Sequence, residues 1–187
     1  AKNVIIGLGS SLTVTTTLSI AGVITNAGTF NAENGTIELN GTAAQTISGS
    51  TFTNRAINNL VISNAAGVNV SSTLNDTLNI TGSISFGNVN NAVLNTGDNI
   101  TLRSTASATA RIADVTNAGA NSGDTIIGKA TVERFLPMQN SSISRRWRLL
   151  TTPLQLIGSP TISEAWQLGV ANSNVSTPIN PRPGYGT

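Results

Sequence analysis

The sequence predicts an all-β protein, and within that class a parallel β-helix, or β-solenoid, followed by a small β-rich cap or module with one short helix. Three observations carry this. From Asn34 to Leu102 the chain is a series of short bursts in which apolar and small polar residues alternate. Nearly every burst ends in Gly, Asn or Asp. Similar phrases then return at a long offset, the mark of an architecture built from stacked units.

The bursts read as strands one by one. In Ile37-Glu38-Leu39 the two aliphatics share one face and Glu38 takes the other; Leu78-Asn79-Ile80 and Ile100-Thr101-Leu102 repeat the arrangement. This is the period-two signal of half-buried strands, with β-branched residues favoured on the pleat. The Asn-Gly pairs at Asn34 and Asn40 read as turns, because both residue types tolerate positive φ. Thr17 to Gly22 aligns with Thr77 to Gly82, and Thr36 to Leu39 with Asn99 to Leu102, an offset of roughly 60 residues. We expect about three coils of ~20 residues each per offset, with a continuous aliphatic column inside and Asn and Thr hydrogen-bond ladders near the turns. A β-sandwich also gives short strands, but it does not call for a long-period match.

Beyond Arg103 the pattern loosens. Ser104 to Ala110 is small and featureless, Arg111 to Val115 reads as one more strand, and Asn117 to Gly123 as a loop. Composition shifts at Lys129, so the expected division is a repeat domain over 1–128 and a cap or second module over 129–187, truncated at Thr187. In the second part, Ala130 to Leu136 reads as a strand stopped by Pro137, and Arg145 to Leu150 as another, limited by Pro153. Ser159 to Gly169 is the helix: Pro160 suits its first turn, Thr161 and Glu164 make a capping box, and Gly169 suits its end. Lys129 to Gly169 is the expected cap. Both chain ends read as those of a fragment of a longer protein.

Composition narrows the chemistry. Only 10% of the residues are charged, against about 25% in ordinary globular domains. Thr, Ser and Asn must therefore supply the solubility, which suits a repetitive extracellular protein. There is no Cys and no His, so disulfides, thiolate chemistry, Ser-His-Asp catalysis and His-bearing metal motifs are excluded. A net charge of +2 without a polybasic run argues against nucleic acid. No apolar run reaches the ~18–20 residues of a membrane span. We expect no cofactor, no metal site and no catalytic residue.

Several phrases, taken together, carry a resemblance. Gly41-Thr-Ala-Ala-Gln-Thr-Ile-Ser-Gly49 with Asn59-Leu-Val-Ile62, and downstream Val132 to Pro137, Arg146 to Thr151, Ala165-Trp166-Gln167 and Pro183 to Thr187, resemble the repeat regions of large secreted surface proteins of the Bacteroidota. In that family such segments lie upstream of a sorting domain used by the type IX secretion system; the sorting domain is absent from this sequence. The resemblance implies an extracellular or cell-surface location, contact with the type IX machinery, and O-glycosylation at Asp-Ser/Thr motifs. Asp76-Thr77-Leu78 and Asp124-Thr125-Ile126 fit that motif, which makes Thr77 and Thr125 candidate glycosylation sites. Without a glycan, Asp76 and Asp124 read as turn residues ahead of strands.

Other candidates come from the residues themselves. Trp147 and Trp166, with Tyr185, offer faces for sugar rings, and Arg146 and Arg148, with Arg145, offer charge for an acidic polysaccharide. Against this, indoles in a chain so poor in aromatics suit the core of a small module, and the arginines suit a guarded strand edge. A glycosidase needs two converging carboxylates. Glu33 and Glu38 are the nearest such pair, while Asp76, Asp98, Asp114 and Asp124 are dispersed. The expected function is therefore non-enzymatic: a structural or adhesive segment of a large bacterial surface protein, a stiff stalk able to associate into fibres, with a polysaccharide or cell-surface ligand as partner. The alternative is a carbohydrate-binding or polysaccharide-cleaving β-helix.

Overall fold

In the computed structural model, which describes residues 1–135, all the strands that pair run parallel. In chain order they are β1 (Val4–Ile6), β2 (Ser11–Thr13), β3 (Thr17–Ile20), β4 (Ile24–Asn26), β5 (Thr29–Leu39), β6 (Gln45–Ile47), β7 (Ala56–Ile62) and β8 (Val68–Val70). Then follow β9 (Leu78–Ile80), β10 (Ser83–Phe86), β11 (Val93–Asn95), β12 (Ile100–Leu102), β13 (Arg111–Ile112), β14 (Thr125–Ile127) and β15 (Ala130–Val132). Helix among the described residues amounts to two single 3-10 turns, Gly49–Thr51 and Thr53–Arg55. The described residues are thus all-β with parallel sheets, as their alternation predicts.

Parallel strands cannot be joined by a tight hairpin, so each partner must lie well along the chain. Here the separation grows from 18 residues, Ser11 opposite Thr29, to 32, Val93 opposite Thr125. The strands fall into three rows. One holds β6, β8, β11 and β14, with β1 and β4 as a separate pair. The second runs through β2, the start of β5, the start of β7, β9, β12 and β15. The third runs through β3, the end of β5, the end of β7, β10 and β13.

Registered pairing lines the aliphatics up. Leu18, Ile37, Leu60, Ile84 and Ile112 stand opposite one another in succession. So do Ala32, Ile57, Ile80, Leu102 and Val132. Ile37, Ile57, Leu60, Leu78 and Ile80 are fully buried. Burying each such side chain contributes roughly 1.5–3 kcal/mol, so the columns carry the stability that disulfides cannot supply. Phe30 and Phe52 add one aromatic contact, with centroids 4.7 Å apart and planes tilted by 45°, a geometry that avoids face-to-face repulsion.

Three expectations change. The Asn34-Gly35 pair is not a turn: it lies inside β5, at an irregularity between Ala32, opposite Ile57, and Thr36, opposite Asn59. Pairing to β7 resumes on both sides, so the pair bends a strand instead of reversing it. The 60-residue match also joins unlike positions, because β3 lies in the third row and β9 in the second; the spatial counterpart of Leu18 is Ile84, not Leu78. The rows share the same apolar–polar–apolar triplet, so a strand matches the wrong row as well as the right one. Lastly, the strand expected over Arg111 to Val115 is only Arg111–Ile112, because Asp114 turns the chain.

The composition shift at Lys129 does not interrupt the sheet. Beyond it, Ala130–Val132 pairs with β12, and Glu133 N–H donates to the Leu102 carbonyl at 2.9 Å. The expected strand over Arg145 to Leu150, the helix over Ser159 to Gly169 and most of the expected cap lie outside the described residues.

Candidate functional site

Side-chain hydrogen bonds run from strand to strand along the rows, and they account for most of the polar residues singled out above. Thr36, Asn59 and Ser83 form one ladder. Asn59 Nδ2 donates to Thr36 Oγ1 at 3.2 Å, and its Oδ1 accepts from Ser83 N at 2.9 Å and Ser83 Oγ at 3.0 Å. Asn99 Nδ2 reaches back to the Ser71 and Thr73 carbonyls at 2.7 and 2.8 Å. The Asn99 bonds lie beside a turn, where such ladders are expected, whereas the Thr36, Asn59 and Ser83 ladder lies within the strands.

A second set is buried. Gln45 Nε2 donates to the Ile20 and Gly22 carbonyls, both at 2.9 Å, and Gln45 Oε1 accepts from Gly41 N–H at 2.8 Å. Asn64 donates to Gln45 Oε1 and to the Ala43 carbonyl, and accepts from Ala66 N–H. Buried backbone groups must find partners, and at this corner side-chain amides supply them. Sequence reasoning did not single out these two residues. The signal was present for Gln45, because in Gln45-Thr46-Ile47 it shares the inward face with Ile47.

All seven carboxylates among the described residues accept hydrogen bonds. Glu38 sits between two strands, accepting from Ser19 Oγ on one side and from Ser63 Oγ at 2.7 Å on the other. Glu33 accepts from Asn54 Nδ2 at 2.9 Å, and Asp98 from Lys129 N–H at 2.7 Å. Glu133 accepts from Ser104 N–H and pairs with Arg103 at 3.0 Å. Asp114 is bonded by the Thr116 hydroxyl and by the Thr116 and Ala118 amides, which lower its carboxyl pKa, the Thr116 hydroxyl contributing most. Among the described residues no group of three His, Cys, Asp or Glu side chains is placed to hold a metal ion.

Both candidate glycosylation motifs put the Asp to structural use. Asp76 is buried and its Oδ1 accepts from Ser50 N–H at 2.5 Å. Asp124 accepts from Ala92 N–H at 2.8 Å and from Asn121 Nδ2 at 2.9 Å. Each Asp thus ties its turn to a residue far earlier in the chain. The threonines differ: Thr77 is half-buried just before β9, whereas Thr125 is exposed within β14. Trp147, Trp166, Arg146 and Arg148 lie outside the described residues.

Among the described residues no helix is long and apolar enough to cross a membrane. Compared with protein-family models, with curated proteins and with solved structures, the chain matches none.

Proposed function

We propose that this chain is a stiff, non-enzymatic stalk segment of a large extracellular bacterial surface protein, wound as a parallel β-helix. One observation carries the reading: each paired strand runs parallel to a partner 18 to 32 residues along the chain, in three rows that recur in the same order. A chain that climbs by one strand layer per circuit produces that pattern. Such stacking buries a continuous core and leaves only short edges, so the product resists bending. The use of all seven described carboxylates as hydrogen-bond acceptors supports a structural role for them over a hydrolytic one. The resemblance to Bacteroidota repeat regions adds export by the type IX system, display at the cell surface, and glycans at Thr77 or Thr125. Of the two, Thr125 is the more accessible acceptor.

The experiment is peptide-level mass spectrometry on protein released from intact cells by surface proteolysis. The expected result is release of this chain as part of a longer protein, with hexose-bearing peptides that include Thr125. Its recovery only after lysis, unmodified and with ends at Ala1 and Thr187, would sink the surface-stalk reading.

A further inference from the structure

We propose that Asn34 is a site of spontaneous deamidation, and that Asn40, the other Asn followed by Gly, is protected by the fold. The two dipeptides are chemically identical. In each, the backbone nitrogen of Gly can attack Cγ of the preceding carboxamide, with no side chain in the way. The new N–C bond forms as the bond from Cγ to the amide nitrogen breaks. The Asn side-chain NH2 leaves with the proton from the Gly nitrogen as ammonia, and a five-membered succinimide that retains the Gly nitrogen remains. Water then opens either carbonyl, which gives an aspartyl or an isoaspartyl linkage.

The surroundings separate the two sites. Gly41 N–H is held at 2.8 Å by Gln45 Oε1, in the buried corner where Gln45 also binds the Ile20 and Gly22 carbonyls. To attack, the Gly41 nitrogen must give up that buried bond, leaving Gln45 Oε1 with Asn64 alone. Asn40 N–H is also engaged, by the Ile20 carbonyl at 3.0 Å. Asn34 and Asn40 are both exposed, and neither carboxamide has a hydrogen-bond partner among the described residues, so the backbone around each pair makes the difference. Asn34 lies in the interruption of β5, between Ala32 and Thr36, where the register to β7 shifts. Local opening there breaks no buried side-chain bond.

The product would be felt. An isoaspartyl linkage adds a methylene to the backbone of β5 where Gly35 packs on Val14. Either product places a new carboxylate beside Glu33, which holds Asn54.

The test is peptide mapping of the full chain aged at mildly alkaline pH, with isoaspartyl and aspartyl products resolved by chromatography. Native protein should convert at position 34 on the order of ten times faster than at position 40, the factor expected when one site must first break a buried hydrogen bond. In denaturant the two rates should converge. Gln45→Met should raise the rate at Asn40 and leave Asn34 unchanged, and Asn34→Gln should abolish the early product. Equal native rates, or faster conversion at Asn40, would overturn the proposal.

Discussion

Asn64 donates its side-chain amide to the side-chain oxygen of Gln45 at 2.9 Å, and both residues are buried. The link joins a stretch after β7 to one that itself reaches back to Ile20, so two side chains hold successive passes of the chain together at one corner. The row that passes here is the one in which backbone pairing is broken, since β4 and β6 belong to different sheets. Gln45→Met keeps the volume and removes the hydrogen bonds. It leaves buried Gly41 N–H and Asn64 Nδ2 without their Gln45 acceptor, while the Ile20 carbonyl keeps Asn40 N–H, and a buried group so stranded costs about 1–3 kcal/mol. We expect a loss of at least ~2 kcal/mol in urea denaturation, and a double-mutant cycle with Asn64→Ala that departs from additivity by ~0.5–3 kcal/mol.

Close approach of backbone to backbone sets a second expectation. A Cβ on Gly35 would stand 2.5 Å from the Val14 carbonyl oxygen and 2.8 Å from its carbon. Backbone cannot swing away as a side-chain end can. Gly35→Ala should therefore destabilise by roughly 1–3 kcal/mol, as overpacking does. At Gly7 the nearest atom is Ser10 Oγ at 3.9 Å, so Gly7→Ala serves as the control and should leave the thermal midpoint almost unchanged.

Particular residues show how far the sequence can be read. The alternation in Ile37-Glu38-Leu39 gave the correct faces, because a period of two is a local property. What Glu38 does there is not local: Ser19 and Ser63, which donate to it, are brought up by pairing to strands on either side. Thr101 alternates like Asn79, yet it is buried between Asn79 and Thr131, a burial that no local pattern announces. Asn34-Gly35 carries turn chemistry but bends a strand, because pairing on both sides outweighs local preference. The candidate threonines share one motif, and only the fold tells exposed Thr125 from half-buried Thr77.

Asp114 sets a pH expectation. Its hydrogen bonds from Thr116 and Ala118 favour the charged form, so the folded carboxyl titrates below the ordinary aspartate value. The sign follows: the contribution to stability is complete above the unfolded pKa and is lost as pH falls through the lower folded one. The pH dependence is therefore confined to the acid range, and at neutral pH the contribution is fully present. NMR titration of the Asp114 carboxyl should give a depressed midpoint, and Thr116→Val should raise it. A midpoint at the ordinary value, unmoved by the substitution, would remove the argument.

The last comparison sets core against surface. Ile80 is fully buried, with Ile57 and Leu102 opposite it on either side. Ile80→Ala removes methyl groups from a column that cannot collapse without shifting two paired strands, so we expect a loss of ~2–5 kcal/mol. The Arg103–Glu133 pair, at 3.0 Å, is the ion pair among the described residues, and its side chains are 47% and 34% exposed. A charge pair so open to water is worth about 0–1 kcal/mol and weakens as salt screens it. Arg103→Ala should therefore cost under ~1 kcal/mol in low salt and nothing measurable in high salt, while the deficit of Ile80→Ala persists in both. If Arg103→Ala cost as much as Ile80→Ala, stability would rest on surface charge, and the buried columns could not be what holds the strands together.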